Sequence, residues 1–308
     1  MTSPTPLLKP WYRLASRNGS LVLAYGESVV VFEGRAAQTL LPALLPRLDG
    51  RRTLDEIAAE LGPAARPAIE SAVALLDRHG LLTEPPASSG TAQLLAALAG
   101  GAPADAAGRL AASTVGVAGA SEAGAEVARL LRLSGVERVQ RLESWEEVGT
   151  LDLAIAAPSP AELPLLRAWN ERALARGTAW LQLLPYDGHG AAVGPLYLPG
   201  ETSCYACYLL RRRANVGYAE ELEALEQAPA AYPSAPPLEL AAAGLTALLA
   251  LRWLAFSDAF VPGVVWTLEL AAGPWLTRHE VFRVPRCSAC SGLGDTAPPA
   301  PWFEESAR

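Results

Sequence analysis

Two short motifs account for every cysteine in the sequence: Cys204-Tyr-Ala-Cys207 and Cys287-Ser-Ala-Cys290. Two residues between thiols is a spacing that brings both sulfurs onto one metal ion. Two such pairs supply the four thiolates of a structural zinc tetrahedron, with Zn–S near ~2.3 Å. A thiol–disulfide redox motif needs only one pair. A disulfide framework belongs to short secreted chains, whereas this one has 308 residues and opens without a secretory signal. A four-thiolate site has no open position for substrate, so Cys204, Cys207, Cys287 and Cys290 are expected to fasten the fold rather than to do chemistry.

A second candidate lies in Ser113-Thr-Val-Gly-Val-Ala-Gly119-Ala-Ser121-Glu-Ala-Gly124, a strand pattern running into a glycine turn and then an amphipathic helix. With a further strand over 136–142 this reads as a βαβ unit carrying a degraded dinucleotide fingerprint. Ser121 occupies a position where glycine normally lets a phosphate approach the backbone. Glu143 lies about 20 residues beyond the loop, where an acidic side chain would hold a ribose hydroxyl. Residual nucleotide binding through Gly119, Ser121, Gly124 and Glu143 is one reading, and a Rossmann-like scaffold that has lost its ligand is the other. A third strand, 151–157, ends in Ala156-Ala157-Pro158, with Asp152 at the opposite end, so no carboxylate is evident for magnesium at the ligand-binding end of the sheet. His79, His189 and His279 stand in no motif.

The elements that must position these residues fall into two modules. Residues 84–108 carry Pro85-Pro86, Ser88-Ser89-Gly90 and Gly100-Gly101-Ala102-Pro103 around one short apolar stretch, 94–98, with room for a helical turn or two, and read as a linker between a domain at 1–83 and another at 109–308. In the first module, runs at 11–16, 20–25 and 28–32 read as strands punctuated by Asn18-Gly19 and Gly26-Glu27. Three helices follow: 35–48, interrupted by Pro42 and Pro46; 54–61, opened by the capping box Thr53-x-x-Glu56; and one starting at Pro67, with Ile69, Val73 and Leu76 at its core and Gly80 closing it. Three strands before three helices is a small winged-helix arrangement. In the second module a helix over 161–176 and a strand over 179–184 continue the α/β pattern, and a hairpin-like run over 194–204 delivers the first cysteine pair. The tail after Cys290, with Pro298, Pro299, Pro301 and Trp302-Phe303, reads as an irregular strap.

Composition narrows the partners. A net charge of −7 offers no basic surface to nucleic acid or anionic membrane. Arg66, Glu70, Asp77 and Arg78 nearly cancel on the third helix of the winged module, which speaks against base reading. The most apolar long segment, 238–256, contains Glu239 and Arg252 and reads as a buried helix rather than a membrane span. Paired thiols and the missing signal fit a reducing cytoplasm. The winged module does offer a strand edge: Val29, Val30, Val31 and Phe32 present backbone groups to an extended peptide. The Ile69, Val73 and Leu76 helix would form the far wall, with Arg66 and Arg78 available to acidic residues.

The glycine-turn βαβ, the run Gly194-Pro-Leu-Tyr-Leu-Pro-Gly-Glu-Thr-Ser-Cys204-Tyr-Ala-Cys207, the long apolar helix and Pro285-Arg-Cys287-Ser-Ala-Cys290 together resemble the ThiF/MoeB-type, ubiquitin-activating-enzyme-like fold. More closely, nearly the whole chain resembles the ThiF-like partner proteins of thiazole- and oxazole-forming peptide-modifying systems. Its N-terminal module is similar to the PqqD-like RiPP recognition element. The resemblance implies an α/β protein in which a PqqD-like winged-helix module precedes a degenerate Rossmann-like domain with a four-cysteine zinc site. It further implies binding of a precursor-peptide leader and presentation to a YcaO-type cyclodehydratase. Relatives of this fold often pair through the ThiF-like domain, and the apolar 238–256 helix offers a surface for a homodimer as well as plain core.

Active adenylating relatives combine an intact glycine loop, an arginine after the second strand and an aspartate after the third. This sequence has Ser121 in the loop, Ser144-Trp-Glu-Glu-Val148 where the arginine is expected, and Ala156-Ala157 where the aspartate is expected. ATP is therefore not expected as a cofactor, and a non-catalytic adaptor is the favoured reading. An ATP-dependent adenylating enzyme is the alternative, with a DNA-binding regulator behind it.

Overall fold

The computed structural model describes residues 5–83, 90–99, 101–147, 149–228, 230–270, 273 and 275–291. The proline-rich tail after Ser291 and residues 84–89 of the expected linker lie outside these. The chain forms two compact units, Met1–Ala107 and Gly108–Arg308.

In the first unit β1 (Leu7–Leu8) is followed by β2 (Arg13–Arg17), β3 (Ser20–Tyr25) and β4 (Ser28–Phe32). The last three form an antiparallel sheet in the order β2-β3-β4. Asn18 and Gly19 both take positive φ, 51° and 79°, the conformation a two-residue turn needs to match strand twist. Next come α1 (Arg35–Thr39), α2 (Leu41–Leu44) and a 3₁₀ turn over Leu45–Arg47, where the sequence suggested one helix. Pro42 and Pro46 each remove a backbone donor and break the run into short turns. The Leu-rich face survives the breaks, since Leu41, Leu44, Leu45 and Leu48 are all buried.

α3 (Leu54–Leu61) starts on the expected capping box: Thr53 N donates to Glu56 Oε2 at 2.8 Å, and Glu56 N donates to Thr53 Oγ1 at 3.3 Å. α4 (Arg66–Arg78) then buries Ile69, Val73 and Leu76 against Leu21, Leu23 and Phe32. β5 (Leu82–Thr83) returns to pair with β1. The expected linker contains more helix than its glycines and prolines suggest. α5 (Gly90–Ala99) buries Ala92, Leu95 and Ala96, and α6 (Pro103–Ala112) spans the boundary between the units.

The second unit is built on seven strands: β6 (Thr114–Ala118), β7 (Arg138–Arg141), β8 (Leu153–Ala156), β9 (Trp180–Leu184), β10 (Gly190–Tyr197), β11 (Val264–Glu269) and β12 (Trp275–Glu280). Their order is β12-β11-β10-β9-β8-β6-β7. β6 pairs in parallel with β7 and β8, and β8 with β9, while β10 to β12 extend the sheet antiparallel. The helices are α7 (Glu122–Leu133), α8 (Leu166–Arg176), α9 (Tyr205–Ala214), α10 (Ala219–Gln227) and α11 (Pro236–Phe256). α8 is shorter than expected because Pro160 and Pro164 hold the preceding turn, Pro160–Leu165, in 3₁₀ form. Among the described residues, α11 is the one helix long and apolar enough to cross a membrane by length and composition. Here it packs on α7, β9 and β10, burying Ala242, Ala243, Thr246, Ala247 and Ala250, whose small side chains allow close approach.

Candidate functional site

The four cysteines, scattered over more than 80 positions, converge. After β10, Leu198 N donates to Thr202 Oγ1 at 2.9 Å and Thr202 N to Leu198 O at 3.0 Å, closing a turn that sets Cys204 as the N-cap of α9, with Cys207 in its first turn. Beyond β12, the Cys287 amide donates to Val284 O at 3.1 Å, starting the turn that carries Cys287 and Cys290. All four sulfurs lie within 4.8 Å of one another. The Sγ separations are 3.8 Å for Cys204–Cys207, 3.8 Å for Cys204–Cys287 and 3.5 Å for Cys207–Cys290. A tetrahedron with ~2.3 Å metal–sulfur bonds has edges of roughly 3.8 Å, so the donor set and its geometry fit one four-thiolate ion.

The thiols are not equivalent. The hydrogen bond from the Cys204 thiol holds Cys207 down at about 4 despite burial, assisted by the Val284 amide 3.3 Å from its sulfur. The same bond, with burial and the neighbouring thiols, pushes Cys204 up, and burial first of all raises Cys290 to about 11. Without a cation the raised thiols, Cys204 and Cys290, keep their protons at neutral pH. A divalent cation would stabilise all four as thiolates.

The glycine loop lies at the carboxyl end of β6. Gly119 has φ +98°, and a Cβ there would collide with the Ala157 carbonyl; a Cβ on Gly124 would lie 2.8 Å from that of Ala157. Both glycines are thus explained by the approach of α7 to β8. Ser121 caps α7: its Oγ accepts the Gly124 N–H at 3.0 Å and donates to Ala157 O at 2.9 Å. The Ala120 N–H donates to Glu162 Oε2 at 2.8 Å, and the same oxygen receives Ser159 N at 2.8 Å and Ser159 Oγ at 2.9 Å. Trp145 Nε1 donates to Glu162 Oε1 at 3.0 Å.

Arg141, the last residue of β7, donates to the Gly119 carbonyl. An arginine therefore does reach the loop from the second strand of the βαβ unit, earlier in the chain than the segment from Ser144 where one was expected, and it grips backbone. Burial lowers the Arg141 guanidinium, while the charge of Glu162 opposes that shift. Glu143 is exposed beyond β7 and is not drawn into the loop. Sequence reasoning passed over Glu162, although Ser159-x-x-Glu162 before an apolar run carries the capping signature.

At the sheet of the first unit, β4 pairs with β3 alone among the described residues. Its pair Tyr25–Ser28 closes a two-residue turn. By antiparallel alternation Val30 then bonds to β3, while the amides of Val29 and Val31 face the open edge. The Val29 and Val31 side chains are 57% and 51% exposed. Ile69, Val73 and Leu76, read both as the core face of their helix and as the far wall of the groove, are fully buried in the core, where that face of α4 closes the module. Arg66 is engaged by Asp55 at 2.6 Å and Glu70 at 2.9 Å. Arg78 is exposed in the last turn of α4, next to His79, whose ring meets Phe32 edge-on at 5.7 Å.

No family profile and no curated protein matches the sequence. Solved structures do match it along nearly its whole length. A heterocyclase in complex with substrate and cofactor superposes with a TM-score of 0.75 at 23% identity, covering 96% of this chain and 40% of its own. The heterocyclase TruD gives 0.75 at 24% identity, covering 94% and 43%. MccB of E. coli, solved with ATP, gives 0.65 at 14% identity, covering 92% and 99%. The chain has the fold of these proteins. It spans less than half the length of the heterocyclases and nearly all of MccB.

Proposed function

We propose that this chain is a RiPP-biosynthesis adaptor. It binds the leader of a ribosomally made precursor peptide on its N-terminal module and presents it to a YcaO-type cyclodehydratase that forms azoline heterocycles. One observation carries the reading: β4 ends its sheet with two outward amides and two exposed valines, an edge suited to accept an extended peptide. Backbone pairing tolerates many leader sequences, and Arg78 supplies a charge that discriminates among them. The fold shared with heterocyclases supports the peptide-modifying context, the match covering 40% and 43% of those two chains. The four-cysteine centre is assigned to zinc on its donor set. Zinc there supplies cross-linking and no chemistry, because four thiolates complete its coordination.

The second reading, an adenylating enzyme, draws on the likeness to MccB, solved with ATP. It is disfavoured because neither Ala156 nor Ala157 can hold magnesium. Fluorescence polarisation with a labelled precursor-peptide leader, and AMP release measured with and without cyclodehydratase, separate the readings. Leader binding without AMP release by this chain alone supports the adaptor. AMP release by this chain alone establishes the enzyme.

A further inference from the structure

We propose that Glu162 is the resident anion of the glycine loop: its carboxylate takes the Ala120 backbone donor that a nucleotide phosphate would use. At a strand–glycine–helix turn, a phosphate is held by loop N–H groups at the positive end of the helix. Here the Ala120 N–H is given to Glu162 and the Gly124 N–H to Ser121. A phosphate entering the loop must displace a carboxylate that already has four donors, and it meets like charge while doing so. Arg141 contributes positive charge, but its guanidinium is turned onto the Gly119 carbonyl.

The seat of Glu162 is fixed from three sides. Ser159 and the flanking Pro160 and Pro164 set its 3₁₀ turn, the loop amide holds Oε2, and the Trp145 indole holds Oε1. That indole is itself wedged edge-on against buried Trp169, with ring centroids 5.6 Å apart. The carboxyl is accordingly held below the usual carboxylate range: burial works to raise it, and the donors from Ala120, Ser159 and Trp145 outweigh burial. This deepens the reading of the domain as non-adenylating. It is tested with neither leader nor partner present, so the two readings fail separately.

The test is thermal melting of the full chain with inorganic pyrophosphate, with acetate and with ATP–magnesium. Wild type is expected to melt at an unchanged temperature with each. Glu162→Ala, which empties the seat, is expected to melt several degrees lower and to recover part of the loss when pyrophosphate or acetate is added. A wild-type protein stabilised by pyrophosphate or ATP overturns the proposal, and so does a Glu162→Ala variant indifferent to both anions. Should that variant not fold, the Ala120 amide proton of wild type is followed by NMR through the carboxylate titration. A shift that tracks a depressed carboxyl supports the assignment, and an amide blind to it overturns it.

Discussion

Trp145 and Glu162 are joined by a 3.0 Å hydrogen bond from the indole Nε1 to Oε1, and the ring that donates it begins a file of aromatics through the second unit. Trp145 meets Trp169 at 5.6 Å, Trp169 meets Trp180 at 6.3 Å, and Trp180 meets Tyr205 at 6.1 Å. Tyr205 directly follows Cys204 of the four-cysteine cluster. The file thus runs from the glycine-loop carboxylate to the residue beside the cysteines, which form a buried cluster of their own with Leu174, Val284 and Ala289.

This file gives a graded prediction. Trp145→Phe keeps a ring against Trp169 but removes the N–H from a half-exposed carboxylate, at a cost of about 1 kcal/mol. Trp169→Ala empties a fully buried site and should cost about 3–5 kcal/mol. Denaturant melts of both variants check the order, and a loss in Trp145→Phe as large as that in Trp169→Ala would overturn it.

The depressed Glu162 carboxyl predicts an acid limb in stability. A group whose folded pKa lies below its unfolded value of about 4.3 stabilises the protein above that value, and the contribution is lost as pH falls through the folded pKa. The charges and donors facing it are Arg141 on β7, Trp145 after β7, Ser159 on its own turn and the Ala120 amide. Glu162→Gln should flatten the melting temperature between about pH 6 and acid relative to wild type. Parallel curves would place the acid limb on other carboxylates.

For the cysteine centre, one zinc per chain is expected from metal analysis, with loss of the ion in Cys204→Ser. The second unit should melt earlier, since binding energy at a site closed only by folding is folding energy. The first unit has no residue in the centre and should keep its leader affinity. Metal-free protein with its thiols oxidised to disulfides refutes the assignment.

Much of this was legible in the residues because it is written locally. Asn18-Gly19 dictates a turn whatever surrounds it, Thr53 and Glu56 lie three residues apart, and two Cys-x-x-Cys pairs name their own ligand geometry. What escaped depends on distance. Glu162 meets Ala120 across 42 positions, a pairing no local pattern announces. The full extent of the helix over 90–99, of which the sequence suggested a turn or two at 94–98, was obscured by glycines and prolines that mark turns only until tertiary packing of Leu95 and Ala96 overrides them. β11 and β12 carry weak alternation of their own and are fixed in sequence, β11 by pairing onto β10 and β12 by pairing onto β11.

The β4 edge yields the sharpest test of leader binding, because alternation separates residues that hold the sheet from residues that offer bonds outward. Val30 is paired to Leu23 in the β3–β4 ladder, so Val30→Pro removes a bond of the module itself and should lower its stability along with any binding. Val31 lies across from Val22 with its amide to the open side. Proline is tolerated at an edge position of this kind, so Val31→Pro should leave the melting temperature nearly unchanged while weakening leader affinity at least several-fold. Arg78→Glu should also weaken an acidic leader, with the difference fading as salt shortens the reach of the charge to about 3 Å at 1 M. Polarisation titrations of the labelled leader at low and high salt measure both effects. If Val31→Pro binds as tightly as wild type, the leader does not add to β4, and the peptide site must be sought on another surface.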